Sequence, residues 1–463
     1  MTRFTRIERI HFVGIGGIGM SGIAELLLHQ GYEVTGSDLR LTEVTRHLEG
    51  LGAVVHEGHA AEHVEGAHAV VYSSAVKPDN PEVVRGTELK IPVIRRAEML
   101  GELMRMHFSI GVAGTHGKTT TTSMTGGVLA AAGLDPTLIV GGKVNALGTS
   151  ASLGEGDYLV AEADEFDRSF LRLFPTVAVI TNVEAEHLDT YGDYDSMREA
   201  FAEFANKVPF YGAVVACLDD AGVRSLLPVI DRALVSYGVT SQADVRARDV
   251  RFEGLGSRFE VSWQGEELGT VELQVPGLHN IRNALAALGV GLHLDLDRRA
   301  MLEALRGFTG VARRFEVKGE AAGVAVVDDY AHHPTEVAAT LQAARAGYER
   351  RIVAVFQPHL YTRTRDFAGD FGAALLDSDV LVVTDVYPAR EAPIPGVSGE
   401  LVASAARSQG HRQVHYVEDA ARVSVELAEI VREGDLVITM GAGSIWKAAE
   451  ELLRLLEEGE GRG

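Results

Sequence analysis

Seven residues, Gly114-Thr115-His116-Gly117-Lys118-Thr119-Thr120, follow the apolar run His107 to Ala113 and precede a helical pattern, where a nucleotide phosphate loop has to sit. Backbone N–H groups freed by the glycines can close on phosphate oxygens. Lys118 brings a point charge to the β- and γ-phosphates, and the Thr119 hydroxyl can ligate Mg²⁺ at the helix N-terminus. The loop is shorter than the standard pattern, which would place glycine where Val112 stands. A glycine turn ahead of a helix is often only a turn, but the Lys-Thr pair and the upstream strand favour phosphate binding and hence ATP chemistry.

Acidic residues gather downstream. Glu162, Asp164, Glu165 and Asp167 crowd the end of one apolar strand and the loop beyond it, and His187 follows the next strand. Such crowding is costly unless a cation offsets it, and Mg²⁺ favours one or two carboxylates with waters and phosphate oxygens. Glu162, between Ala161 and Ala163 in the strand, is the first expected ligand, with His187 a candidate at a second ion. Glu165 and Asp167 read equally well as solvated loop charges.

A second glycine run, Gly14-Ile15-Gly16-Gly17-Ile18-Gly19, lies between the apolar run Ile10 to Val13 and a helix ending before Gly31. Glycines 14, 16 and 19, with Asp38 after the next strand, fit a dinucleotide fingerprint. NAD is the natural guess from the motif alone, yet a UDP-sugar also brings a diphosphate to such a helix end. Ser73 and Ser74 end a later strand of the same sheet. Towards the C-terminus, polar clusters follow apolar strands: Asp328 to Pro334 with His332 and His333, Gln357-Pro358-His359 with Arg363 and Arg365 beyond, and Gly441 to Ser444. Arg313 and Arg314 precede them, and an arginine fork suits phosphate and carboxylate alike. The two histidines read as site residues, with capping or core packing the alternative.

These groups need strands to carry them. At 463 residues the chain is long enough for about three domains of roughly 150 residues. Strand, turn and helix patterns start near the N-terminus, restart at His107, and resume after Gly310. Shorter alternating stretches between about Val245 and Val275 read as a β insertion, and Asn280 as the cap of the helix after it. The fold class is α/β, with Rossmann-like terminal domains flanking a phosphate-loop domain. The 65 acidic against 43 basic residues give a formal charge of -22, which argues against a nucleic-acid surface. Cys217, the single cysteine, sits in an apolar run and reads as a buried strand residue, and no apolar stretch is long enough to insert into a membrane. A cytoplasmic enzyme, monomer or homodimer, is expected.

Taken in order, the opening glycine run, Gly114 to Thr120, Glu162-Ala163-Asp164-Glu165, Gly277 to Asn283, Arg313-Arg314-Phe315, Asp328 to Pro334, Gln357 to Arg363 and Asp385 to Glu391 resemble the Mur ligases over nearly the whole chain. Within that superfamily they resemble the branch that joins L-alanine to UDP-N-acetylmuramate. The resemblance implies a sugar-nucleotide domain at 1–106, an ATP domain at 107–312 and an amino-acid domain at 313–463. It assigns Gly16, Gly17, Ile18, Gly19, Asp38, Ser73 and Ser74 to the UDP-sugar, and no nicotinamide is used. Gly114 to Thr120, Asn280, Asn283, Arg314 and Asp328 would contact ATP. Thr119, Glu162 and His187 would hold Mg²⁺, with His187, His332 and Arg363 facing the UDP-linked substrate, and Lys118, His332 and Arg363 would be catalytic. Four positions depart from the family pattern: Phe166, Glu186, Leu360 and Ser444. The rivals are a recycling ligase that attaches L-Ala-γ-D-Glu-diaminopimelate to the same UDP-sugar and, from another class, an NAD-dependent oxidoreductase.

Overall fold

A computed structural model describes residues 4, 6–73, 75–141, 151–186, 188–389 and 391–460. Ser74 and His187, both expected at the site, lie outside the described residues.

Three sheets carry the described residues. The first has five strands, in spatial order Val54–Glu57, Glu33–Asp38, Arg9–Val13, Ala69–Tyr72 and Val93–Arg95, all parallel. The order reverses direction beside Arg9–Val13, so the glycine turn after that strand opens at the carboxyl edge, where such sheets leave a crevice. The second sheet has ten strands and is centred on Phe108–Ala113, which pairs in parallel with Val177–Ile180 on one side and Tyr158–Ala163 on the other. Its far edge is the expected β insertion, Val245–Glu253, Gly256–Trp263 and Glu266–Leu273. Two-residue turns join these last strands, a connection that fits antiparallel neighbours. The third sheet runs Glu316–Ala321, Val324–Asp329, Asp435–Met440, Arg351–Phe356, Val380–Thr384 and Val414–Val417, with only the first strand antiparallel.

The strands read as continuous apolar runs because helices cover both faces of a parallel sheet. Val177–Ile180, Ala213–Cys217 and Val380–Thr384 are buried at every position. One contiguous apolar cluster runs from Ile10, Phe12 and Leu27 through Leu100 and Leu103 to Phe170, Phe201 and Phe204, so the first two sheets share a core. By contacts, Met1–Arg248, Glu260–Val271 and Arg282–Phe308 form one compact unit, and Asp249–Phe259, Glu272–Ile281 and Thr309–Gly463 another. The C-terminal sheet packs separate clusters around Phe356 and Phe371 and around Val355 and Leu452.

Asp328 and Asp329 prove to be the last two residues of a strand, not the start of the loop after it. Asn280 is not a cap: the helix spans Leu278–His293, and the Asn280 amide donates back to the Pro276 carbonyl at 2.8 Å. Cys217 is buried in its strand, as its apolar neighbours imply.

Candidate active site

Strand Phe108–Ala113 ends in the turn Gly114 to Gly117, and helix Lys118–Ala131 begins at once. Val112, where the standard motif would have glycine, is a fully buried strand residue. Gly114 takes φ +141°, and a Cβ there would lie 1.9 Å from the Thr181 hydroxyl. Only glycine fits, because the loop is held that tightly from below. The Thr181 hydroxyl donates to the His116 carbonyl at 2.6 Å, His116 N donates to Asn182 at 2.8 Å, and Glu184 N donates to the Thr115 hydroxyl at 3.0 Å. Gly117, at φ +80°, abuts Asn283, whose side-chain oxygen accepts from the Thr121 hydroxyl at 3.1 Å. Asn283 is thereby fixed against the first turn of the helix, and Thr120 is buried beside Thr121.

Lys118 folds over this loop. Its ammonium donates to the carbonyls of Gly114 at 2.6 Å and Thr115 at 3.1 Å and pairs with Glu165 at 2.8 Å. Burial works against the charge, but Glu165, Asp164 and Glu162 outweigh it and hold Lys118 above its ordinary range. Glu165 is buried to 1% exposure, and burial pushes its carboxyl up to about 7 against the pull of Lys118. Glu162, at the end of its strand, is likewise raised by burial, partly offset by the Thr119 hydroxyl and by Lys118. One of its oxygens, Oε1, is buried with no hydrogen-bond partner. An orphaned carboxylate oxygen beside a threonine hydroxyl is the hard-oxygen donor set that Mg²⁺ prefers, so Thr119 and Glu162 fit the ion assigned to them.

Glu165, which the sequence left balanced between a site role and a solvated loop charge, is the main partner of Lys118. Thr181 and Asn182, the struts of the loop, carry no signal of their own beyond following an apolar strand.

The first glycine turn is built differently. Gly14 N and Ile15 N donate to the Ser37 carbonyl, and Gly16 N donates to the Asp38 carboxylate at 2.8 Å. Asp38 is thus engaged with the turn itself. Gly17 precedes helix Ile18–His29, which contains Gly19, and the Ser73 hydroxyl lies 3.5 Å from where a Cβ on Gly14 would stand.

In the C-terminal unit, Asp328 is buried between Arg313 Nε at 2.9 Å and the Thr439 hydroxyl at 2.7 Å. Arg313 also donates to the Gly441 carbonyl at 2.7 Å, which ties the strand end to the turn before Ser444. Arg314 pairs with Glu336 at 3.4 Å, and both guanidinium groups lie over the Tyr330 ring. Arg313 is therefore the partner of Asp328.

His332 has its Nδ1 3.0 Å from the Tyr330 carbonyl and 3.1 Å from Glu336, two acceptors that place the proton on Nδ1. Its ring meets His359 edge-on at 5.7 Å, and His359 stacks on Tyr387 at 5.9 Å. Burial lowers His359 to about 4, helped by His332 and Arg363, so it is neutral at pH 7. Leu360 precedes helix Tyr361–Ala374, which carries Arg363 in its first turn, and stands at φ +68°, a strained conformation for a branched side chain.

Family models match along the chain in the order of its sheets: "Mur ligase family, catalytic domain" at residues 9–108, "Mur ligase middle domain" at 112–291 and "Mur ligase, glutamate ligase domain" at 313–443. The chain belongs to the Mur ligase family. It is 56% identical over 458 residues to UDP-N-acetylmuramate--L-alanine ligase of Salinibacter ruber, covering 98% of this chain and 96% of that one. It is 54% identical to the ligase of the same name from Syntrophobacter fumaroxidans, over 99% and 98%. A solved UDP-N-acetylmuramate-alanine ligase from Thermotoga maritima superposes with a TM-score of 0.79 at 31% identity, covering 97% of this chain and 99% of that one. The fold is the three-domain α/β architecture of the family.

Proposed function

We propose that this Mur ligase is an ATP-dependent carboxylate–amine ligase of peptidoglycan synthesis that joins L-alanine to the lactyl carboxylate of UDP-N-acetylmuramate, with ADP and phosphate as co-products. The observation that carries the choice of substrates is full-length identity above one half to enzymes named for that reaction. We place the domain boundaries at 106/107 and 312/313 and the enzyme in the cytoplasm. Among the described residues no helix is long and apolar enough to cross a membrane.

A carboxylate is a poor acyl donor, so the lactyl group must be activated. Its attack on the γ-phosphate of ATP gives an acyl phosphate and ADP; the amine of L-alanine then displaces phosphate. Little covalent chemistry falls to the protein in the first step, and positioning with charge neutralisation does most of the work. Lys118, already charged and aimed across the loop, exchanges its contact with Glu165 for the phosphoryl oxygens. Thr119 and Glu162 would hold Mg²⁺, which supplies further neutralisation there. Asn283, fixed against Gly117, would orient the nucleotide, with Asn280 one turn earlier on the same helix. For the second step a base must accept a proton from the ammonium of L-alanine. His332, with its proton held on Nδ1 by the Tyr330 carbonyl and Glu336, presents the lone pair of Nε2 and is the group best arranged for this.

The test is ATP-dependent phosphate release with UDP-N-acetylmuramate against a panel of amino acids and short peptides. L-Alanine is expected to give the highest kcat/KM, with glycine and L-serine weaker and L-Ala-γ-D-Glu-diaminopimelate inert. A tripeptide value equal to that of L-alanine would transfer the assignment to the recycling ligase.

A further inference from the structure

A cavity of about 420 Å³ lies within the first compact unit, away from the phosphate loop in sequence and lined by Arg95, Arg96, Arg168, Arg172 and Lys207. Three elements converge to build it. Arg95 and Arg96 open helix Arg96–Met106, Arg168 and Arg172 belong to the turn beyond the acidic strand end, and Lys207 closes helix Tyr194–Asn206. Five cations facing one cavity is the reverse of what a chain of net charge -22 would produce at random.

Their compensation is incomplete. Lys207 is satisfied by Glu203, itself a lining residue, at 3.4 Å and by the Leu171 carbonyl, but Arg172 reaches Glu98 only at 3.9 Å. The Asp167 carboxylate, which also lines the cavity, is engaged by Ser169 N at 3.0 Å. Among the described residues, Arg96 and Arg168 have no carboxylate within ion-pair distance. Arg168 is, in addition, held at φ +60° with its guanidinium 5.3 Å from the Tyr191 ring. A non-glycine residue in this region costs about 1 kcal/mol or more, so the turn keeps Arg168 in place against local preference. Cations brought together in a concave site repel one another until an anion enters, and guanidinium forks match the tetrahedral oxygens of phosphate.

We propose that this cavity is a phosphate-binding pocket separate from the ATP loop, held chiefly by Arg96 and Arg168. Arg96 Nη1 lies 3.1 Å from where a Cβ on Gly19 would stand, so the pocket adjoins the first glycine turn. Phosphate can therefore reach it from two sources: the diphosphate of a bound sugar nucleotide, or a free phosphate-bearing small molecule.

The experiment uses the full chain with its ATP loop saturated by Mg-ADP, and follows inorganic phosphate binding by isothermal titration. Wild type should bind phosphate, more weakly as salt is raised. Arg96→Ala with Arg168→Ala should weaken it on the order of a hundredfold, with Mg-ADP affinity unchanged as the sign of an intact fold. Arg172→Gln, on an exposed side chain, provides a second variant and should weaken phosphate about threefold to tenfold. Repeating the titration with saturating UDP separates the sources. Loss of phosphate binding under UDP assigns the pocket to the sugar nucleotide, and retained binding assigns it to an independent anion. No phosphate binding by wild type at millimolar concentration, or binding indifferent to all three substitutions, would overturn the proposal.

Discussion

Two glycine turns in this chain share one plan, a buried parallel strand followed by a turn and a helix, yet they are equipped for different work. At Gly114 to Gly117 the turn is braced by Thr181, Asn182 and Glu184, and a lysine crosses it into a buried group of carboxylates. At Gly14 to Gly19 no lysine follows, and the one acid, Asp38, is occupied in holding Gly16 N. Both helix ends can receive phosphate. Only the first carries charge that can shift as a phosphoryl group moves, and the proposed function accordingly uses the first to react and the second to hold.

The largest expected break in this comparison is Lys118→Ala. Removing the one cation that crosses the loop should lower kcat on the order of a hundredfold to a thousandfold, while far-UV circular dichroism stays that of wild type. More than a tenth of wild-type turnover at saturating Mg-ATP would mean that the loop does not need its lysine.

Gly114→Ala tests the bracing. The added methyl meets the Thr181 hydroxyl at 1.9 Å in a backbone conformation that side chains rarely adopt, so a loss of about 3 kcal/mol in stability is expected. Gly16→Ala in the other turn meets side-chain atoms alone, the Asp38 carboxylate at 2.9 Å and the Thr45 methyl at 3.1 Å, and should cost about 1 kcal/mol. Equal shifts in the urea midpoint of the two variants would remove the distinction.

Glu165 gives the comparison a pH signature. Its folded carboxyl titrates near 7, above the ordinary value of 4.5, so between these values the folded state holds a proton that the unfolded chain has released. Stability from this group is therefore greatest below about 4.5 and is lost as pH rises through about 7, by roughly 3 kcal/mol at most. Glu165→Gln should flatten that part of the stability profile, and an unchanged slope would place the titration elsewhere.

The parallel sheets were legible because residues buried on both faces leave unbroken apolar runs, and Tyr158 to Ala163 is a strand with the bounds its residues suggest. The strand, turn and helix around Gly114 to Thr120 were legible because their signal is local: an apolar run, glycines, then lysine and threonine in succession. What holds the turn was not. Thr181, Asn182 and Asn283 reach the loop from 65 to more than 160 positions away, and nothing in a threonine after an apolar run says which carbonyl it will meet. Glu165 differs from its neighbours Asp164 and Asp167 only in burial, a property of the folded packing. Asn280 was misplaced by three residues, since the helix starts at Leu278, because a cap and a first-turn asparagine look alike in sequence; the amide's bond to Pro276 belongs to the second.

The smallest effect expected, and the one that most sharpens the contrast, is that of Asp38→Ala. The carboxylate holds Gly16 N at 2.8 Å, and a bond of this kind to a charged acceptor is worth about 1.5 to 3 kcal/mol when both groups are buried. Asp38 is only partly buried, so about 1 kcal/mol is expected. Without it the turn relaxes, and the helix end presents its N–H groups less well to a diphosphate. The KM for UDP-N-acetylmuramate should rise about fivefold to tenfold, with kcat and the KM for Mg-ATP near wild type, because uniform binding is lost and no transition-state contact is. A fall in kcat approaching that of Lys118→Ala would mean that the first turn takes part in the chemistry, and that the two turns differ less than their charges imply.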